Sequence, residues 1–206
     1  MIRIDSQYSE VEKARRKDGA IKFFSNKQKK NREWQVLGAL QRQLLASSLD
    51  APVFAVEQES PDFSTYKEDK SFWSFVEVVE VIRPNYRRND FFKERARPDA
   101  PVFFDVDPPL SDLWTPLREA ISKKALKGYQ RPISLAVYYD IPRSCFTDWS
   151  KPFDEYLLDE HKVKPFADLA SFDRVFVLYC DQRGLVELHP APTVIVRDNP
   201  FGDSEW

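Results

Sequence analysis

Two glutamates interrupt the most strand-like stretch of the chain. Ser71–Ile82 reads SFWSFVEVVEVI, rich in Val and Phe, and carries Glu77 and Glu80. A carboxylate in such a strand is costly to bury without compensation, so each needs a partner or a ligand. Upstream, Asp62 closes a polar turn, EQESPDF, fifteen positions before Glu77. An aspartate at the start of a hairpin and a glutamate on the paired strand can converge on one Mg2+ or Mn2+. Such an ion polarises a phosphate oxygen and lowers the pKa of a bound water. Strand alternation restricts the geometry. Phe75, Glu77, Val79 and Val81 share one face, and Val76, Val78, Glu80 and Ile82 share the other. Unless a bulge intervenes, only one of the two glutamates easily meets Asp62.

What the chain lacks points the same way. Its 206 residues include five glycines, two histidines and two cysteines. The glycines stand alone, so no Gly-rich phosphate cradle can be built from them. Cys145, His161, Cys180 and His189 lack zinc-finger spacing. Carboxylates are plentiful, with 33 Asp plus Glu, so a resident metal is expected to be a hard ion held by oxygen. The two cysteines read as buried small hydrophobes. Few cysteines, no signal peptide and no long apolar run give the expectation of a cytoplasmic protein without a membrane segment.

A net charge of −2 hides an uneven spread. Residues 1–50 carry 11 Lys/Arg against 6 Asp/Glu, and residues 83–97 carry 6 against 2. Residues 118–131 carry 5 against 1, whereas 148–206 carry 6 against 12. Basic segments with an acidic C-terminal third suit a polyanion partner, although solvated helix faces give the same counts.

The elements that must position these acids can be read from periodicity. From about Asn26 to Ala46 the spacing predicts a helix, with Glu33, Leu37, Leu40 and Leu44 on one face. Glu33 heads that stripe and is expected to point toward the core. Strands are expected at Ala51–Val56, Ser71–Ile82, Ile133–Tyr139, Arg174–Cys180, Leu185–Leu188 and Thr193–Arg197. Residues 85–97 and Leu110–Tyr129 read as helices, the latter with Gly128 near its end, and 152–169 as partly helical. DQRG is the turn between two of the late strands. Trp34, Trp73 and Trp114 read as core residues. This order of helices and strands is an α/β layering with a mixed sheet, in one domain over 1–206.

PDF followed by VEVVEV resembles the restriction-endonuclease-like PD-(D/E)xK superfamily. More narrowly, FFSNKQKKNREWQ, the FVEVVEV strand with Arg87 and Arg88 just after it, and KKALKGY are similar to a family of uncharacterised bacterial proteins classed as endonucleases of that superfamily. The resemblance covers roughly residues 20–180. It implies an α/β/α core with a mixed central sheet and an N-terminal helix, and Mg2+- or Mn2+-dependent hydrolysis of nucleic acid, DNA foremost. It implies that Asp62 and Glu77 hold the metal and that Glu33 assists from the first helix, with Glu80 taking the place of Glu77 in the other strand register. The motif lysine is not in its usual place, because Val79 and Ile82 stand two residues after the glutamates. The superfamily can carry this lysine on a neighbouring helix, and Lys124 and Lys127 are the candidates. Arg87 and Arg88 are candidate phosphate contacts, and a second copy of the chain is a candidate partner. Two alternatives remain at this level. One is an inactive member of the fold that binds nucleic acid or protein. The other is an interaction protein that uses its aromatics and acidic tail.

Overall fold

A computed structural model describes residues 1–23, 29–81, 112, 114–139, 152–179 and 183–197, with the backbone alone over 15–23. Eight strands form one sheet in sequence order: β1 (Ile2–Arg3), β2 (Phe54–Glu57), β3 (Phe63–Tyr66), β4 (Phe72–Val81), β5 (Ile133–Tyr139), β6 (Arg174–Tyr179), β7 (Gly184–His189) and β8 (Thr193–Val196). β4, β5 and β6 run parallel, and every other neighbouring pair is antiparallel. The class is therefore α/β with a mixed sheet, as the sequence predicts. β5, ISLAVYY, is buried at all seven positions. A parallel strand covered on both faces needs this unbroken apolar run.

Helices cover both faces. α1 (Ile4–Phe23) and α2 (Lys29–Ala46) lie on one side. There Trp34, Leu37, Leu40 and Leu44 pack against Phe63, Val76, Val78, Ala136 and Phe176. The stripe predicted from Glu33 to Leu44 is the buried stripe of α2. Gly38 lets α1 come close, because a Cβ there would overlap the Tyr8 ring. The other side carries α3 (Trp114–Ala125), α4 (Phe153–Leu157), α5 (Glu160–Val163) and a 3-10 turn, Ala167–Ser171. Trp114, Leu117, Ile121, Phe153 and Phe172 meet Leu135, Val137, Val175 and Val177 on that face. Trp34 and Trp114 are core residues, and Trp73 is half-buried.

Several boundaries differ from the sequence reading. β1 is not among the expected strands, and β3 is expected only as the unnamed arm of the hairpin that starts at Asp62. β1 is two residues long and FSTY of β3 is half polar, so neither has a readable period. β2 begins at Phe54 rather than Ala51, after Pro52, which has no N–H to give a ladder. α3 ends at Ala125 rather than Tyr129. Gly128 has φ of 61°, a left-handed conformation that stops a helix and is cheap only for glycine. The predicted helix at 85–97, Arg87, Arg88, Cys145, Cys180 and most of the DQRG turn lie outside the described residues. Among the described residues no helix is long and apolar enough to cross a membrane.

Candidate active site

The sheet has a notch where β3 stops and β4 runs on. The first residue of β3, Phe63, pairs with Val76, and β4 continues five residues further to Val81. Past that pair, the main-chain N–H groups of β4 on that side lose their β3 carbonyls and need other acceptors. Asp62 supplies one: its Oδ2 accepts from the Val78 N–H at 2.8 Å. The aspartate side chain thus extends the ladder by one rung, and Oδ1 is left for a ligand.

Register decides which glutamate joins it. Phe63 and Val76 oppose each other and both pack under α2. One step along, Asp62 and Glu77 therefore share the opposite, α3-facing side. Val79 and Val81 follow Glu77 on that face and pack with α3, whereas Val78 lies under α2. Glu80 shares the α2 side with Val78 and is half-buried. The structure brings Glu77, not Glu80, to Asp62. The two-residue period makes that choice, and no bulge is recorded within β4 at this point.

α3 delivers the cation. Its last turn carries Lys123 and Lys124, and the Lys124 ammonium forms an ion pair and hydrogen bond with Glu77 Oε1. Lys127, in the turn beyond the helix, stands 3.4 Å from the same oxygen. Gly128 then folds the chain back so that Tyr129 lies beside Glu77. Sequence reasoning missed Tyr129, whose only signal is its place after a helix-ending glycine.

Asp62 and Glu77 are both almost wholly inaccessible, at 3% and 2% of their surface. Burial pushes the Asp62 carboxyl up. The Val78 N–H pulls it back, and the charges of Glu77 and Glu33 raise it further, to about 6. Burial also pushes Glu77 up, but Lys124, Tyr129 and Lys127 outweigh it and hold Glu77 below its ordinary range. The Tyr129 hydroxyl is driven up by burial and by Glu77. It lies against the Glu77 carboxylate, which it helps to keep ionised. Two neighbouring carboxylates with split affinities for the proton, and a lysine between sheet and helix, form a group that a cation or a water would complete.

Glu33 enters from the α2 side. It is buried, as its place on the helical stripe predicts, and its charge reaches Asp62. Its oxygens, however, face lysines: Lys29 Nζ is 2.9 Å from Oε1 and Lys30 Nζ is 3.0 Å from Oε2. These lysines were not singled out from the sequence, although their i, i+4 and i, i+3 spacing to Glu33 was available to find them. Among the described residues no three of His, Cys, Asp and Glu come together in a way that could hold a metal ion. No family model, no curated protein and no solved structure matches the chain.

Proposed function

We propose that the protein is a divalent-metal-dependent nuclease of the PD-(D/E)xK kind, with a restriction-endonuclease-like core, hydrolysing phosphodiester bonds at the notch. The observation that carries this reading is Lys124. The strand lacks the motif lysine, and a helix on the adjoining face supplies an ammonium to the glutamate that shares a face with Asp62. A structural role for two buried acids does not require that coincidence.

The donor set fits Mg2+ or Mn2+ held by two carboxylates, with water and a substrate phosphate filling the remaining positions. Asp62 Oδ1 and Glu77 Oε2 are the oxygens not taken by Val78 and Lys124. The ion would supply charge against the phosphate oxygens and a more acidic bound water. The chain's own residues do the rest. Asp62, anchored by Val78, fixes one ligand oxygen rigidly to the sheet. Glu77, with its pKa held low, stays ionised and can accept a proton bond from the attacking water. Lys124 faces the charge that grows on the phosphate oxygens in the transition state, where a fixed ammonium in a dry site is worth several kcal/mol.

A second reading has its own support. Glu77 Oε1 is already neutralised by Lys124 and Lys127, an arrangement that also suits a non-catalytic member that binds nucleic acid. One experiment separates them. Wild type and Asp62→Asn are incubated with single- and double-stranded DNA and RNA in Mg2+ or Mn2+, with and without chelator. The nuclease reading expects cleavage by wild type alone, abolished by chelation. Salt-sensitive binding without cleavage favours the second reading, and equal activity of the two proteins refutes the first.

A further inference from the structure

Lys29, Lys30 and Glu33 form a unit that the hydrolytic reading does not use. Glu33 is 4% exposed and holds one ammonium on each oxygen, while Lys29 and Lys30 keep 68% and 44% of their side-chain surface in water. Two adjacent ammoniums repel each other. One buried carboxylate gathers both and leaves a surplus positive charge. The first turn of α2 has no acid to offset it, and the positive end of the helix dipole adds to it. Lys30 is fixed further: it donates to the Gln58 carbonyl at 3.2 Å and sits 5.7 Å over the Phe63 ring. The unit lies beside the notch: Phe63, under Lys30, follows Asp62 directly, and the Gln58 N–H donates to the Asp62 carbonyl at 2.9 Å. Across the sheet, Lys124 and Lys127 gather on Glu77 in the same way. The three carboxylates around the notch are thus met by four ammoniums, one pair from each face.

We propose that Lys29 and Lys30, held as a pair by Glu33, are a binding site for the phosphodiester backbone of nucleic acid next to the notch. Glu33 is then a positioning residue rather than a metal ligand, because both its oxygens are turned to lysines. The proposal rests on the nuclease reading for the identity of the polyanion. A backbone phosphate entering between the ammoniums relieves their repulsion, and it stays off the buried acids, which would repel it.

The test is equilibrium binding of labelled single- and double-stranded oligonucleotides to the Asp62→Asn protein by fluorescence anisotropy over a series of salt concentrations. The same protein carrying Lys29→Gln, Lys30→Gln and Glu33→Gln is compared, so that no buried charge is left alone. Each phosphate contact contributes a slope of roughly 0.7 on single strands and 0.9 on duplex in log K against log salt. The expected result is a slope shallower by about 0.7 to 0.9, one phosphate contact's worth. Lys29→Arg with Lys30→Arg, which keeps both charges, is expected to keep the slope. An unchanged slope in the neutral triple variant, or no binding of any nucleic acid by the parent, overturns the proposal. The outcomes separate from those of the nuclease test. Cleavage by wild type with an unchanged slope removes the lysine site alone. A shallower slope without cleavage by wild type removes the nuclease reading alone.

Discussion

Replacing Asp62 by Asn is expected to stabilise the protein, and to do so only where Asp62 is ionised. In the folded chain the carboxyl is raised to about 6 from 3.8 by burial and by Glu77 and Glu33. The native state therefore binds this proton more tightly than the unfolded state does. Between roughly pH 4 and 6 the unfolded chain has lost the proton and the native chain keeps it, so stability falls as pH rises through this window. About two pKa units correspond to roughly 3 kcal/mol, an upper bound because relaxation and water reduce it. Asn keeps the shape and can accept from Val78 through its oxygen, but it brings no charge. At pH 8 the variant should be more stable by about 2–3 kcal/mol, which for a chain of this size is roughly 4–12 °C in melting temperature. As the pH falls below 3.8, where Asp62 becomes neutral in the unfolded as well as the folded state, the difference should vanish. Chemical denaturation of both proteins from pH 3.5 to 8 in chelator measures it. An Asn variant that is no more stable at pH 8, or a gap that does not change with pH, would refute the electrostatic picture of the notch.

Other consequences follow from the same geometry. Lys124→Ala leaves Glu77 with Lys127 at 3.4 Å as its nearest ammonium. It should cost about 2–3 kcal/mol by urea denaturation, and adding Glu77→Gln should recover much of that loss. Tyr129→Phe removes a buried hydroxyl that helps hold Glu77 below its ordinary range. It should cost about 1–2 kcal/mol, and an unchanged stability would mean that the hydroxyl does not support Glu77. Gly128→Ala meets no neighbour within 4 Å but must adopt φ of 61°. It should cost about 1 kcal/mol from the backbone alone, read as a shift in the denaturation midpoint.

The parts legible in the sequence are those governed by one dominant force. β5 was predicted at its observed limits, Ile133–Tyr139, because burial on both faces leaves an unbroken apolar run. The burial of Glu33 followed from helical periodicity, and the choice between Glu77 and Glu80 was reduced to a question of register. That question could be settled only by pairing: Phe63 against Val76 is a contact between segments, with no signature in either. Lys124 was a candidate because it is basic and near the end of a helix. Its contact with Glu77 depends on how α3 docks on the sheet, which no local pattern encodes. Glu33 shows the opposite failure. Its burial was readable, but its partners, Lys29 and Lys30, looked like ordinary solvated charge until the structure turned them onto one carboxylate.

Everything proposed for the notch depends on Asp62 and Glu77 sharing one divalent cation. Anomalous scattering from Mn2+ in crystals of the wild-type protein tests this directly. The expected result is a peak within about 2.0–2.6 Å of Asp62 Oδ1 and Glu77 Oε2, with the Lys124 ammonium beside it. Crystals in which Mn2+ scatters only elsewhere, with the notch acids bound to nothing but Val78 and the lysines, would contradict it.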